Sequence, residues 1–412
     1  MILLSHPTAN QNVRQAALAF ARGGLLSEFW TCIAWQEEGL LDRLAPGRLR
    51  KELRRRSFPN ELTPYLRAYP AREWLRLIVG QLGWSGLGRN ERSPFSVDAV
   101  YLSLDRRVAR RLASCLTTRI VYAYDAGALE TFKAARERGL ICIYEHPIVH
   151  WRVVRQIQRE EAELQPEWAP TLGALADSEE KLARKDEELA RADLVITAST
   201  FAKNSLAEAP TLRAPVRVLP YGTVAGTPGL RERAREKLRV LFVGALTQAK
   251  GLGYLLEAAA RLEGEIELTL IGRRVDEAIP TPAVLAKHRW FPSLPHEELL
   301  LEMKRQDVLV LPSLHEGFGL VLGEAMAQGL VVITTPHTAG PDLITDSVDG
   351  FLIPIRSSDA IEEKLRWLHR EPDRLEEMQA AAQRRALDFS WENYRQGLVE
   401  VAREVVGREL DS

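Results

Sequence analysis

The chain lacks the features of disulfide-stabilised, zinc-binding and membrane-spanning proteins. Its 412 residues include only three cysteines, Cys32, Cys115 and Cys142, which are far apart and form no C-x-x-C pair. This pattern argues against a disulfide framework or a zinc site and favours a reducing compartment. No apolar run approaches the roughly 18 residues of a membrane-spanning helix, and the N-terminus does not resemble a secretory leader. We therefore expect a soluble, cytoplasmic protein.

An excess of charge of either sign is also lacking. Lys and Arg total 55, Asp and Glu total 56, and the formal net charge is −1. Nucleic-acid-binding proteins usually carry a positive excess, so no nucleic-acid partner is predicted. Hydrophobic residues make up 46% of the chain and charged residues 27%, proportions typical of an ordinary folded protein.

Several signatures of catalytic sites are missing as well. No two Asp residues stand at i and i+2, so there is no D-x-D motif for a metal-bound nucleotide, and neither H-E-x-x-H nor G-x-S-x-G occurs. Gly83, Gly86 and Gly88 spell G-x-x-G-x-G, but they follow an apolar stretch without a clear strand and helix around them. We interpret these glycines as part of a flexible loop.

Short apolar runs alternate with amphipathic stretches along the chain, whose length predicts two to three domains at about 150 residues each. In the first half we predict strands at 2–4, 120–124, 140–144, 193–198 and 216–219, and helices at 14–22, 127–138 and 178–191. The last of these helices is so polar that we expect it to be solvent-exposed. In the second half we predict strands at 239–243, 267–271, 308–311 and 331–334, helices at 254–262, 297–304 and 320–327, and a helical tail from 357 to 405.

This alternation is typical of βαβ units with parallel sheets. The stretch YGTVAGTPGL, residues 221–230, is rich in Gly, Pro and Thr and is predicted to link two domains. The sequence thus predicts an α/β protein with two Rossmann-like domains, 1–222 and 223–390, followed by a C-terminal helix, 391–412. Any ligand is expected in the cleft at the carboxyl ends of the strands.

The most informative segment is LPSLHEGFGLVLGEAMAQG, residues 311–329. A strand ends near Leu311, Gly317 and Gly319 allow a tight turn, and a helix begins near Leu320. A glycine turn into a helix N-terminus presents free N–H groups and the positive end of the helix dipole, which suits phosphate.

Two glutamates in this segment are candidate ligand-binding residues. Glu316 lies in the loop and Glu324 on the following helix, and their carboxylates can accept hydrogen bonds from paired sugar hydroxyls. The alternative is a solvent-exposed loop residue and an ordinary helix-face residue.

A second segment, VGALTQAKGLGYLL, begins at Val243 with the end of a buried strand and continues through a glycine turn to Lys250. A lysine before the next helix can act as a point charge on a diphosphate. The alternative is a solvated turn lysine. The segment is not a P-loop, because G-x-x-x-x-G-K-[ST] is absent.

These two segments, with LIG at 270–272, RWFPSLPHEEL and DLITDSVDGFLIP, resemble the retaining, nucleotide-sugar-dependent glycosyltransferases of family 4. That family has the GT-B fold of two Rossmann-like domains. The resemblance runs from Arg239 to near Trp391 and is most specific in the two glutamates. ELARADLVITAS and VRVLPYG match more loosely, and FSWENY resembles the family's last helix, which packs back on the N-terminal domain.

The resemblance implies a role for each matching residue. Lys250 would neutralise the donor diphosphate, Glu324 would hold the ribose, and Glu316 would contact the transferred sugar. The implied donor-binding residues are Gly244, Lys250, Leu294, Gly317, Phe318, Gly319, Leu320 and Glu324, and the implied catalytic residues are Glu316 and His146. The donor would be a nucleotide diphosphate-sugar, with UDP-sugar favoured and GDP-sugar second, and neither a metal nor another cofactor is expected.

The sequence departs from the family at three places. Ala245 stands where the family often has an arginine, so one positive charge on the diphosphate is missing or comes from elsewhere. The N-terminal Gly-Gly loop is replaced by SHPTANQNV, residues 5–13. His146 is a provisional counterpart of the family's N-domain histidine, with His150 as a rival.

The segment from Arg43 to Trp84 joins a basic stretch, RLAPGRLRKELRRR, to an apolar and aromatic one. Such a pair can lie on an anionic membrane surface or hold a phosphorylated acceptor. The alternative is a solvated helix face packed on the N-terminal domain. The membrane hypothesis predicts that neutralising Arg54 to Arg56 weakens binding to anionic liposomes.

We therefore expect a retaining, hexosyltransferase-type glycosyltransferase that moves a sugar to an unidentified acceptor hydroxyl on a glycan, a lipid-linked or a small molecule. It would be cytoplasmic, or peripheral on the inner membrane face. The alternatives are a nucleotide-sugar epimerase or phosphorylase on the same fold, and a nucleotide-binding regulatory protein without turnover.

Overall fold

The computed structural model describes residues 1–412 except 38, 40–41, 43–46, 89, 227–235 and 411–412. The first sheet is parallel and consists of β1 (Ile2–Ser5), β2 (Leu26–Thr31), β3 (Leu66–Ala68), β4 (Ile120–Tyr124), β5 (Ile141–His146), β6 (Leu194–Thr197) and β7 (Val216–Val218), in the spatial order β3-β2-β1-β4-β5-β6-β7. Its central strands are buried along their whole length because helices cover both faces of the sheet.

The helices that accompany this sheet are α1 (Gln11–Arg22), α2 (Gly47–Arg54), α3 (Ala71–Gln81), α4 (Val97–Leu112), α5 (Leu129–Arg136), α6 (Trp151–Leu164), α7 (Glu179–Ala190) and α8 (Thr200–Ser205). Ser96, Ser178 and Ser199 cap α4, α7 and α8 by accepting a hydrogen bond from a first-turn backbone N–H.

The second sheet is also parallel. It consists of β8 (Leu238–Val243), β9 (Ile266–Ile271), β10 (Arg289–Phe291), β11 (Val308–Leu311), β12 (Val331–Thr334) and β13 (Gly350–Leu352), in the order β10-β9-β8-β11-β12-β13. The helices that follow are α9 (Leu252–Arg261), α10 (Pro282–Leu285), α11 (His296–Lys304), α12 (Leu320–Ala327), α13 (Gly340–Leu343), α14 (Ser358–Arg370), α15 (Pro372–Ala386) and α16 (Trp391–Leu410).

The two parallel sheets confirm the predicted architecture of two Rossmann-like domains. α16 packs on α1, where Val399 contacts Gly23 and Arg395 hydrogen-bonds Gln15. The boundaries after residues 222 and 390 stay predictions, and residues 227–230 of the predicted linker lie outside the described residues. In the described part of the chain, no helix is both long and apolar enough to cross a membrane.

The prediction that helix 178–191 is solvent-exposed is wrong. Lys185 is 9% exposed and Glu188 is fully buried. The Glu188 carboxylate accepts hydrogen bonds from the backbone N–H groups of Ala126 and Ala128, in the loop after β4. The many charged residues of this helix led to the expectation of solvent exposure. In the structure, Glu188 instead provides hydrogen-bond acceptors for backbone N–H groups of the loop after β4.

Candidate functional site

Loops at the carboxyl ends of both sheets meet at one place. The hydroxyl of Ser199, after β6, donates a hydrogen bond of 2.6 Å to the carbonyl of Gly317, after β11. A Cβ atom at Gly317 would lie 1.9 Å from the carbonyl oxygen of Pro147, which follows β5. The structure thus brings the predicted Glu316 loop against the loop that follows His146.

Glycine lets the turn that carries Lys250 pack tightly. Lys250 ends a single turn of 3₁₀ helix, Gln248–Lys250, and Gly251 follows with a φ of 69°. A Cβ atom at Gly251 would lie 2.1 Å from the carbonyl oxygen of Pro312, and one at Gly272 would lie 1.7 Å from that of Gly244. The chain therefore needs glycine at both positions to bring the ends of β8, β9 and β11 together.

Lys250 and Glu316, predicted to bind the diphosphate and the sugar, form an ion pair with each other. Burial lowers the pKa of Lys250 to about 8. The pair places a cation and an anion side by side at the carboxyl edge of the second sheet. A donor diphosphate would compete with Glu316 for this cation.

The residues from Gly317 to Leu320 lead into the N-terminus of α12. Gly319 is the N-cap, with a φ of 85°. The first backbone N–H groups of a helix have no acceptor within the helix, so they are available to an anionic ligand. The Phe318 side chain is buried and packs edge-on against Tyr221, with 5.2 Å between the ring centroids. Only the backbone of Phe318 is therefore suited to a ligand contact.

Glu324 lies on α12 and accepts a hydrogen bond of 2.8 Å from Nε2 of His296. This hydrogen bond raises the pKa of His296 above its ordinary value. His296 begins α11, two residues after the half-buried Leu294. The structure thus brings the Leu294 loop to Glu324. His296 was not among the site residues predicted from the sequence.

His146 ends β5 and is 2% exposed. Its Nδ1 lies 3.4 Å from the carboxylate of Asp125, which also pairs with Lys185 at 3.4 Å. Burial opposes ionisation of Asp125, but Lys185, His146 and Tyr144 together hold its pKa below the ordinary value. The rival His150 is fully buried, and burial lowers its pKa to about 4.

Sequence reasoning missed several other residues of this edge. His6 directly follows β1 and lies beside Tyr124, at 4.7 Å between ring centroids, and it accepts a hydrogen bond from the backbone N–H of Thr8. Burial lowers the pKa of His6 to about 4, so the imidazole is neutral. Burial likewise raises the pKa of Glu188 to about 8. The only available signal was the position of these residues after, or opposite, the ends of predicted strands.

The basic segment that begins at Arg43 is folded into ion pairs. Arg54 pairs with the buried Asp42 at 2.7 Å, and Arg56 pairs with the buried Glu73 at 2.7 Å. These contacts hold α2 and α3 together over a small core. Residues 43–46 lie outside the described residues. Neutralising Arg54 and Arg56 would therefore disturb the packing of this region, so it is not a clean test of membrane binding.

Comparison with known proteins finds a family similarity in part of the C-terminal half of the chain. Residues 231–385 match the model of the family described as Glycosyl transferases group 1. The amylovoran biosynthesis glycosyltransferase AmsK of Erwinia amylovora is 34% identical over 146 residues, 32% of this chain and 36% of that protein. D-inositol 3-phosphate glycosyltransferase of Mycobacterium tuberculosis is 29% identical over 201 residues, 44% of this chain and 41% of that protein. The matches thus span about two fifths of the length of these curated relatives.

Solved structures match the whole chain. Sucrose-phosphate synthase from Thermosynechococcus elongatus has a TM-score of 0.69 at 16% identity and covers 99% of both chains. HepE from Anabaena, in complex with UDP, has a TM-score of 0.63 at 16% identity, over 98% of this chain and 99% of that one. These similarities establish the fold, GT-B, which is the predicted one.

Proposed function

We propose that the protein is a retaining glycosyltransferase of family 4 that moves a hexose from a nucleotide diphosphate-sugar to an acceptor hydroxyl. The observation that carries the proposal is the juxtaposition of Lys250, Glu316 and the N-terminus of α12 at one strand edge. The group 1 match over 231–385 covers this edge and supports the same activity.

Lys250 and the free N–H groups of α12 would stabilise the diphosphate as it leaves. Preorganised charge of this kind acts where charge develops in the transition state. Glu316, freed from Lys250, would contact the transferred sugar, and His146 would contact the sugar from the opposite side of the cleft. In a retaining reaction the acceptor attacks the face from which the diphosphate departs. Positioning would therefore contribute more than a dedicated protein base.

Ala245 stands where the family often has an arginine, and we propose that Arg274 supplies this positive charge instead. Arg274 follows β9 and pairs its backbone with Leu246, directly after Ala245. Its Nε and one Nη atom are buried and have no hydrogen-bond partner among the described residues. A buried guanidinium without an acceptor favours an anionic ligand. Two protein cations on the diphosphate would leave the reaction independent of a metal.

The donor we favour is a UDP-sugar. HepE is described in complexes with UDP, with UDP and glucose, and with UDP-glucose. The shared fold supports a comparable donor, with a GDP-sugar as the second candidate. We propose a cytoplasmic location because all three cysteines are free thiols within the protein interior.

The donor is tested by thermal-shift titration with UDP, GDP, ADP and their sugar conjugates. A ligand at about 100 times its Kd adds about 2.7 kcal/mol of stability. We expect UDP to stabilise the wild type and to stabilise Lys250→Ala and Arg274→Ala much less. Transfer to an acceptor, rather than conversion of the donor alone, distinguishes this activity from an epimerase. Stabilisation without transfer or hydrolysis would favour the regulatory alternative, and no shift with any nucleotide would contradict the proposal.

We also propose that α3 and the loop after it contact an anionic membrane. Large apolar side chains are 50–60% exposed there: Leu75, Ile78, Leu82, Trp84 and Leu87. Leu75 and Ile78 lie three residues apart on one face of α3, and Leu82 caps the end of the helix four residues later. Residues 47–92 contain eleven Lys or Arg and four Asp or Glu, although the whole chain has a net charge of −1. An exposed apolar stripe with a basic surround suits the interface of an anionic bilayer.

Vesicle sedimentation tests this contact. The triple variant Leu75→Ser, Ile78→Ser, Leu82→Ser should bind vesicles of phosphatidylserine and phosphatidylcholine at least about tenfold more weakly than the wild type, because it loses buried apolar area. Leu116→Ser is a matched control, because Leu116 is 88% exposed outside this stripe. Wild type that stays in the supernatant, or a triple variant that binds as well as the wild type, would contradict the contact.

A further inference from the structure

We propose that Gln158 and Glu161 of α6 are positioning residues that hold both donor-site loops from the opposite domain. The inference rests on the proposed function, because it concerns the diphosphate site around Lys250. Helix α6 begins at Trp151, one residue after His150, so it continues directly from the loop that follows His146.

Glu161 is a fully buried carboxylate at the boundary between the two domains. One of its oxygens accepts hydrogen bonds from Nε2 of Gln248 at 2.7 Å and from the hydroxyl of Tyr254 at 2.8 Å. The other accepts a hydrogen bond of 2.8 Å from Nε of Arg356. All three donors lie in the C-terminal half of the chain. A buried carboxylate is costly unless its acceptors are satisfied in this way, so the contact defines one relative placement of the two halves.

Gln248 transmits this contact to the turn that carries Lys250. Its side-chain oxygen accepts a hydrogen bond from the backbone N–H of Gly253, and its own backbone N–H donates to Thr171. Thr171 also belongs to the N-terminal half. The 3₁₀ turn Gln248–Lys250 is therefore held at its first residue by two side chains from the opposite domain, and Lys250 is two residues away.

Gln158 makes the corresponding contact with the Glu316 loop. It lies one turn before Glu161, so the two side chains share a face of α6. Its amide Nε2 lies 3.0 Å from Nε2 of His315, and its oxygen accepts a hydrogen bond from the backbone N–H of Ala174. The amide group is therefore the donor to His315. Burial lowers the pKa of His315 to about 4, which keeps this imidazole neutral and able to accept.

One helix face thus organises the Lys250 turn and the Glu316 loop together. Glu161 contacts Gln248 and Gln158 contacts His315, so each acts through the loop that it holds. We expect a substitution of Glu161 to weaken diphosphate binding when Lys250 is present, and to have little effect when Lys250 has been replaced.

A double-mutant cycle with UDP as the probe tests this dependence by calorimetry, with GDP and ADP in parallel. Glu161→Gln should raise the Kd of UDP about tenfold in the wild-type background, because it removes hydrogen bonds to a charged group. In the Lys250→Ala background the same substitution should change the Kd by less than about twofold, the result for two residues that act as a unit. Gln248→Ala removes the contact from the other domain and should reproduce the effect.

The matched control is Glu160→Gln. Glu160 neighbours Glu161 on α6, and its side chain is 46% exposed. Among the described residues, its carboxylate forms an ion pair with Arg356, at 3.1 Å. The Glu160→Gln variant should bind UDP with a Kd within about twofold of that of the wild type. An unchanged Kd in Glu161→Gln and Gln248→Ala, or equal losses with and without Lys250, would overturn the positioning role. A wild type that binds none of the three nucleotides would overturn the proposed function as well. Failure of the positioning role alone is thus distinguishable from failure of the proposed function.

Discussion

The strand-end loops of the two domains are built in different ways. In the C-terminal domain the loops after β8 and β11 rely on glycine, at Gly251 and Gly317, where backbone approaches backbone too closely for a Cβ atom. In the N-terminal domain the corresponding edge holds buried ionisable side chains, such as His146, Asp125 and Glu188. The first design offers backbone N–H groups to an anion, whereas the second offers side chains whose protonation depends on burial. The glycine design leaves a pattern in the sequence, and the side-chain design depends on tertiary contacts.

The largest effect is expected at Gly317, where the loop after β11 packs against the loop after β5. Gly317→Ala would place a Cβ atom 1.9 Å from the carbonyl oxygen of Pro147. The two loops would have to separate, and a displacement of about 1 Å can lower turnover by about 100-fold. Sugar transfer and thermal unfolding would be measured together. Gly173→Ala is the control, because nothing lies within 4 Å of a Cβ atom at that position. Wild-type turnover in Gly317→Ala would show that the loops need not meet.

A smaller effect should appear in the pH dependence of donor binding. The pKa of Lys250 is about 8, so the fraction of protonated lysine falls as pH rises through that value. We expect the affinity for UDP-glucose, whose diphosphate charge is constant in this range, to fall several-fold between about pH 7 and about pH 9. Lys250→Arg keeps its charge throughout and should remove this dependence. The same decline in both proteins would mean that another group governs it.

The smallest effect concerns stability on the N-terminal side. Burial raises the pKa of Glu188 to about 8 from an ordinary value of 4.5. The stability that depends on its protonated form is therefore fully present below about pH 4.5 and is lost as pH rises through about 8. Glu188→Gln mimics the protonated carboxyl group. As pH rises, the Tm of this variant should therefore fall less than that of the wild type, by about 2 °C or more. Its exposed neighbour provides the control Glu187→Gln, because hydrogen bonding to Arg191 lowers the pKa of Glu187 instead. Parallel Tm profiles for the wild type and Glu188→Gln would contradict this account.

The sequence by itself determined the fold and the positions of the glycine turns that end the strands of the second sheet. Buried parallel strands are continuous apolar runs, so β4, β11 and β12 could be predicted from composition at the residues where they occur. β2 and β3 could not, because LSEFWT in β2 has no simple alternation and the three residues of β3 carry little pattern. The glycines around Lys250 and Glu316 marked the second sheet's edge for the same reason that they are needed there: no other residue allows the close approach.

Only the tertiary structure decided which distant side chains meet. The ion pair between Lys250 and Glu316, the hydrogen bond from His296 to Glu324 and the contact of Glu161 with Gln248 join residues far apart in the chain. A polar helix such as α7 is equally consistent with solvent and with a buried network until its neighbours are known. Periodicity records which face is apolar, but burial and pairing of charges depend on the relative placement of whole elements. For that reason the glycine-built edge of the second sheet was predictable, and the pairing of buried charged side chains was not.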